Sequence, residues 1–390
     1  MSKKIKSLFS SFFIDRKAQT DIVFLCLLFL LIGIGLICLW SASYPVALNE
    51  GTPSYSIVLE QAKFALLGIA LMFGISYFDY EKLKQKGFPF FSFAFTIVLL
   101  IIPLLGPGDK NGIKRWIYIG GKQFQPSELA KFGLILLFAY LIDRYYVKLR
   151  KLGSWKGIAK NLGLVVLIFG VPLGIVALLL IKEPHLSCTV LVAVITIAMM
   201  FVGGVRKRWL AIILIVGVVG FLIISKTGYF SERMEVWRDP FNADKDDSWQ
   251  IIQSLYAIGS GGFLGVGFGN SRQKYLYLPE PENDFIFSVI CEELGFLGAL
   301  FIIVLFVLFV YKGLLIAIRA KDKFGSLLAF GTIVQIGVQA LLNMAVVSGT
   351  APNTGISLPF FSAGGTSLIM LLMQVGVVLS VARKSSVKKL

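Results

Sequence analysis

Residues 250–293 read QIIQSLYAIGSGGFLGVGFGNSRQKYLYLPEPENDFIFSVICEE. In a chain otherwise built of apolar blocks, this is the longest run with few membrane-spanning features. Gln250, Gln253, Ser254 and Ala257 recur at the i, i+3, i+4, i+7 spacing of one helix face, while Ile251, Ile252, Leu255, Tyr256 and Ile258 mark another. The spacing predicts an amphipathic helix in the membrane interface, its amide-rich face turned to something polar. A glycine-dense loop follows, with Ser260 at its start. Then come Arg272 and Lys274, two Pro-Glu steps, and Asp284 at the head of a long apolar helix. The stretch reads as a polar site at the outer membrane face, held there by the rest of the chain.

Working outward, the 390 residues are 56% hydrophobic, with a mean hydropathy of +0.80. The apolar residues come in blocks of about 20, the length a bilayer core requires. This excludes a set of soluble domains and gives the fold class: an all-α polytopic membrane protein. Ten transmembrane helices are expected near 22–44, 57–78, 87–105, 126–143, 162–181, 186–204, 209–225, 285–317, 324–349 and 359–382. The domain reading is a cytoplasmic N-terminal tail (1–21), a single transmembrane domain (22–382) and a cytoplasmic C-terminal tail (383–390), with one long extracytoplasmic loop, 226–283. Loops of that length are uncommon unless functional or disordered. The N-terminus is basic but lacks a short apolar core with a small-residue cleavage site, so it reads as a retained tail.

The net charge of +16 would suggest nucleic acid in a soluble protein. Here its distribution decides against that partner. Basic residues cluster on alternate connections, including Lys82 and Lys84, Arg144 and Lys148, Arg206 to Arg208, and Arg319 to Lys323. That is the positive-inside pattern, and it places both termini in the cytoplasm. One outer loop breaks the pattern: GPGDKNGIKRWIYIGGKQFQ (106–125) carries Lys110, Lys114, Arg115 and Lys122. It reads either as a solvated loop or as a surface for an anionic group such as phosphate. Trp116 and Tyr118 fit an interfacial anchor as well.

Several features carry both a bland and a functional reading. Glu128 and Lys131, like Glu60 and Lys63, lie three apart and face each other on one helix side. Each pair is either a local ion pair or part of a site, since intramembrane charges are costly. The four cysteines sit in apolar segments with no metal or disulfide spacing, and the single histidine, His185, has no ligand partners near it in sequence. The glycines of 259–269 contain a GxGxxG pattern, but no strand precedes it, which excludes a dinucleotide site. They let backbone N–H groups approach a ligand, or let the loop fold tightly. Asp284 reads as an N-cap from position alone. The helix after it is too long for one span, so it projects outward or breaks at Gly295 or Gly298, leaving Glu292 and Glu293 near the outer interface. Gln335, Gln339 and Asn343 share one face and could line a polar groove, and Ser362 lies in the small-residue run FFSAGGTSL (360–368).

Taken together, these segments resemble the SEDS family (shape, elongation, division and sporulation proteins). The resemblance rests on NGIKRWIYIGGKQFQPSELAK (111–131), KEPHLSCT (182–189), residues 253–295 and PNTGISLPFFSAGGTSL (352–368), and covers nearly the whole chain. The segments ERMEVWRDPF (232–241) and NSRQKYLYLPEP look more like the FtsW and SpoVE branches than like RodA. The chain departs from the family at Ala363, often an aromatic, and in HLSC (185–188), where DLGT is common.

The resemblance implies a peptidoglycan glycosyltransferase acting on lipid II in a bacterial cytoplasmic membrane, at the division septum. Asp284 matches the family's essential acid and would be the general base. The departing pyrophosphate needs cations, for which Lys114, Arg115, Arg272 and Lys274 are the candidates. Trp116, Gln250, Gln253, Ser260, Glu293 and Ser362 complete the expected substrate-binding set. No cofactor follows from the residues; a divalent cation (Mg or Mn) stays open, without a ligand cluster to announce it. The partner implied is a class B penicillin-binding protein, a transpeptidase, with other divisome or elongasome membrane proteins. Two other readings are a lipid II flippase, which would depend on midplane charges such as Lys63, Lys131 and Glu293, and a non-catalytic scaffold for the transpeptidase.

Overall fold

The architecture is that of a computed structural model, which describes residues 21–85, 87–106, 114–120, 122–151, 158–226, 228–241, 246–275, 277–353 and 355–386. Lys110, the N-terminal tail before Asp21 and residues 387–390 of the C-terminal tail lie outside these residues, whereas Lys384 of that tail donates to Asp79 at 2.7 Å. The chain is helical almost throughout. Its elements are α1 (Ile22–Asn49), α2 (Ser56–Tyr77), α3 (Phe88–Leu105), a two-stranded hairpin β1 (Ile117–Ile119) and β2 (Lys122–Phe124), and α4 (Pro126–Lys151). Next is α5, which runs from Ile158–Val165 through a π-turn, Val166–Gly170, into Val171–Lys182. Then follow α6 (Leu186–Val202), α7 (Lys207–Ile224), α8 (Gly228–Arg238), α9 (Asp246–Gly261), α10 (Ile286–Ile318), α11 (Lys323–Val347) and α12 (Gly365–Ser386).

Among the described residues, eight helices are long and apolar enough to cross a bilayer: α1, α2, α3, α5, α7, α10, α11 and α12. The ten-span reading needs α4 and α6 to cross as well. α6 is apolar but shorter, and α4 carries Glu128, Lys131, Asp143 and Arg144 along its length. Buried faces of α10, α11, α4, α6 and α1 form the core, from Leu28 and Leu31 through Ile135 and Phe138 to Phe309 and Phe324. α12 packs against α2, and α9 against α10. α7 stands apart: only 6% of it is buried inside the bundle, with Trp209 its one buried residue.

Three boundaries differ from expectation. α1 continues through Pro45 to Asn49, and α4 reaches Lys151 instead of ending near 143. The last helix starts at Gly365, not 359. The intervening residues form turns, with Phe360 at φ +69°, and their polar groups build the cleft described below. The long segment 226–283 holds two helices, α8 and α9, and the basic loop before α4 folds as a hairpin in the register Ile117↔Phe124, Tyr118↔Gln123 and Ile119↔Lys122.

α10 breaks at Gly295, which has φ 65° and ψ −165°. A break frees backbone groups that an apolar surrounding cannot satisfy. The glycine loop takes them up. Val266 N–H donates to Glu292 O at 3.0 Å and Gly267 N–H to Glu293 O at 3.1 Å, while Phe296 N–H donates to Gly262 O at 2.9 Å and Leu297 N–H to Phe263 O at 3.3 Å. The approach is so close that a Cβ on Gly265 would overlap the Glu293 carbonyl, and one on Gly295 would overlap the Gly265 nitrogen. These glycines therefore serve helix packing, the tight-folding alternative, and not a ligand. The polar face of α9 likewise turns into the protein: Ser254 donates to Val347 O and meets the Ser288 hydroxyl, both at 2.7 Å.

Candidate active site

A polar cleft of about 580 Å³ opens at the end of the bundle that the charge pattern places outside. Its walls come from α2, the hairpin, the 280–284 turn, the 355–357 segment and the start of α12. The hairpin side brings Arg115 and Trp116 to the cleft, and the 280–284 turn brings Glu280 and Asp284.

Asp284 is not an N-cap. Phe285 takes that position, and no side chain caps α10. The Asp284 backbone is instead held from below: Asn343 Nδ2 donates to Asp284 O and to Ile356 O, both at 2.7 Å. Ser362 Oγ donates to Asn283 O at 2.7 Å and accepts from Leu358 N–H at the same distance. These bonds leave the half-buried carboxyl free to face the cleft. Arg115 stands beside it across Gly355. A Cβ on that glycine (φ +62°) would lie 3.2 Å from Asp284 Oδ2 and 3.7 Å from Arg115 Nη1. Arg115 is aimed by the 182–185 hairpin, donating through Nε to Glu183 O at 3.0 Å and through Nη2 to Pro184 O. Burial pushes the Asp284 carboxyl up to about 6, helped by the charge of Glu280 and opposed by Arg115 and Arg233. Burial also raises Glu183 to about 8 and holds His185 well below its ordinary value, so the imidazole is neutral behind the cleft.

Arg233 is the residue sequence reasoning missed. It lies on α8, far from Asp284 in sequence, and its Nη1 donates to Asn353 O at 2.8 Å. Asn353 Nδ2 in turn donates to Gln250 Oε1 at 2.9 Å, so Gln250 reaches the site only through this chain. The motif ERMEVWRDPF contained the signal, since an arginine amid acids in the long loop needs a partner. Gln61 was missed too: it donates to Ser362 O and accepts from Gly364 N–H, both at 3.1 Å, pinning the turn before α12.

Of the expected substrate residues, the structure gathers Arg115, Trp116 and Asp284 at the cleft, with Ser362 buried just behind. Lys114 donates to Leu104 O at 3.2 Å. Gln253 is buried on α9, and Ser260 donates to Ala257 O of its own helix at 3.1 Å. Arg272 is exposed on a turn outside the cleft lining. Lys274 and Glu293 bond each other at 2.7 Å, both buried. Lys131, on α4, is buried between Glu128 at 2.7 Å and Gln339 at 2.8 Å. Among the described residues, no three His, Cys, Asp or Glu side chains converge in a way that could hold a metal ion.

This geometry can do specific chemistry: a carboxyl raised towards neutrality faces a polar cleft, with guanidinium charges near it. The comparisons with known proteins give the family. The model of a cell cycle protein family, FTSW_RODA_SPOVE, matches residues 21–387. The chain is 37% identical to stage V sporulation protein E of Bacillus subtilis (strain 168), over 95% of this chain and 99% of that protein. It is 36% identical to a probable peptidoglycan glycosyltransferase FtsW of Geobacter sp. (strain M18), over 93% and 97% respectively. Among solved structures, a chain from work on "Structural coordination of polymerization and crosslinking by a peptidoglycan synthase complex" superposes with TM-score 0.72 at 26% identity, covering 94% of this chain and 98% of that one. A mutant of the rod shape determining protein RodA of Thermus thermophilus gives 0.67 at 25%, with the same coverage. The chain belongs to the FtsW/RodA/SpoVE family of membrane proteins, the SEDS family, and is FtsW-like within it.

Proposed function

We propose that this chain polymerises lipid II into glycan strands at the outer face of the cytoplasmic membrane, with Asp284 as general base. The observation that carries the reading is the Asp284 carboxyl, raised to about 6 in a polar cleft beside Arg115. A base of that strength is ionised at neutral pH and still accepts a proton in the transition state. It takes the proton of the acceptor sugar's 4-hydroxyl as that oxygen bonds to C1 of the donor sugar. The C1–O bond to the polyprenyl pyrophosphate breaks with inversion, and Arg115 stabilises the charge that gathers on the leaving group.

A second cavity supports a lipid-linked donor. An apolar groove of about 280 Å³ lies between α2, α4 and α12, lined by Ile75, Phe132, Met370, Met373 and Val377 among others. Along α12, Thr366 and Ser367 line the cleft, and Met370, Met373 and Val377, further along the helix, line the groove. A polyprenyl chain laid there would keep its pyrophosphate at Arg115. The synthase-complex neighbour supports a penicillin-binding protein as the membrane partner.

The test uses purified protein and lipid II, with and without the cognate transpeptidase. Wild type makes strands and a folded Asp284→Asn variant does not, a loss of at least ~100-fold. Equal activity of the two would remove Asp284 from the reaction. No strands from either, even with the partner, would favour the flippase or scaffold readings.

A further inference from the structure

The loop that ends in Asp284 is clasped at its start by two consecutive carboxylates. Glu292 accepts from the backbone N–H of Arg272 at 3.0 Å, from that of Gln273 at 3.3 Å, and from the Ser271 hydroxyl. Glu293 accepts from the Lys274 ammonium at 2.7 Å and from Ser41, whose oxygen lies 2.7 and 2.8 Å from the two carboxylate oxygens. Lys274 also donates to Ser41 at 2.8 Å, which ties in α1. Ser41, Lys274, Glu292 and Glu293 are all buried, and Lys274 is only 2% exposed. Such a lysine cannot meet a substrate phosphate without breaking its pair.

We propose that Lys274, Glu293 and Ser41 form a positioning clamp that sets where Asp284 stands in the cleft, without touching substrate. The inference rests on the reading of Asp284 as the base. The far end of the loop is fixed through backbone carbonyls, by Asn343 at Asp284 and Ser362 at Asn283. Between the clamp and Asp284, Tyr275, Tyr277 and Glu280 are exposed, and only Leu278 and Pro281 are buried among the described residues. Within the loop, Trp249 Nε1 donates to Tyr277 O at 2.7 Å and Ala363 N–H to Glu282 O at 2.8 Å, while the clamp is the attachment that ties the loop's start to α1. An apolar contact of equal volume could hold the two segments together as firmly, but it has no direction. The bonded ammonium, carboxylate and hydroxyl fix one register of the turn against α1 and α10. Releasing them shifts the start of the loop and moves the carboxyl relative to the acceptor hydroxyl, and a misplacement of about 1 Å costs on the order of 100-fold in rate.

The test compares full-length wild type, the neutral pair Lys274→Met/Glu293→Gln, Ser41→Ala and Asp284→Asn. Each is purified with its thermal midpoint measured, and strand formation is followed across lipid II concentrations. Lys274→Met alone leaves a buried carboxylate unpaired and is expected to lose folded yield. The neutral pair avoids that fault. Its expected result is a near wild-type midpoint, kcat lower by about 10- to 100-fold and KM within about twofold. A folded neutral pair with wild-type kcat overturns the proposal, as does a raised KM at unchanged kcat, which would mean substrate contact. If the neutral pair does not fold, Ser41→Ala decides, since it removes a hydroxyl and leaves both charges: lowered kcat at constant KM supports the clamp, and unchanged kcat overturns it. Activity surviving in Asp284→Asn overturns the base reading itself. An inactive Asp284→Asn beside a fully active neutral pair overturns the clamp alone.

Discussion

At the scale of single residues, the proposed base chemistry depends on what surrounds one carboxyl. Burial and the Glu280 charge raise Asp284 to about 6, while Arg115 and Arg233 pull it down. A general base works in its ionised form, so the rate of strand formation should fall as pH drops through about 6 and level off above it. Replacing Arg115 by Gln removes one of the cations that lowers this value. The acid limb of the pH–rate profile should then move to higher pH, and the plateau should drop by about 10- to 100-fold through lost leaving-group stabilisation. Initial rates across the pH range check both; a lower plateau with an unmoved limb would separate Arg115 from Asp284. Asp284 and Arg115 were legible because their neighbours in sequence are also their neighbours in the motif. Lys274 looked equivalent to Arg115 on paper, a basic residue in a polar loop. Only its burial against Glu293 distinguishes them, and that contact joins segments whose spacing says nothing of contact.

At the scale of elements, the break in α10 and the glycine loop make one unit. A helix too long for a single crossing left a break at Gly295 as one reading beside a break at Gly298 or an outward projection, and the break lies at Gly295. The role of the glycines was not, because a glycine needed for close approach looks the same whether it approaches a ligand or a helix. The two cases separate experimentally. Gly262 has φ +53° and open space around its missing Cβ, so Gly262→Ala should cost only the backbone term of about 1–2 kcal/mol. Gly265→Ala (φ +82°) places a methyl into the Glu293 carbonyl and should cost several-fold more, seen as a much lower thermal midpoint in detergent. Equal costs would mean that the loop is not seated on the break. α9 follows the same logic: the face expected to meet something polar meets the protein itself, through Ser254 at Val347 O and Ser288 and through Gln250 at Asn353.

At the scale of the whole molecule, a polar cleft and an apolar groove each draw lining residues from α2 and α12. Introducing bulk in the groove, as in Val377→Trp, should raise KM for full-length polyprenyl donors by about tenfold while leaving short-chain donors unaffected. Equal effects on both donors would place the lipid elsewhere. The fold class was legible because apolar blocks of spanning length admit few architectures. Less legible was the turn at 359–364, whose apolar residues Phe360 and Phe361 are buried in the protein core while the backbone around them bends. The pairing of the glycine loop with the break in α10 also bears on how the chain is made. Synthesis runs from the N-terminus, so residues 262–267 leave the ribosome before residues 292–297. The patch therefore exists before the gap it fills. When the second half of α10 enters the membrane, the donors and acceptors that Gly295 leaves unmatched already have partners waiting. A circular permutant that delivered the broken helix first would have to carry those groups unpaired until the loop arrived.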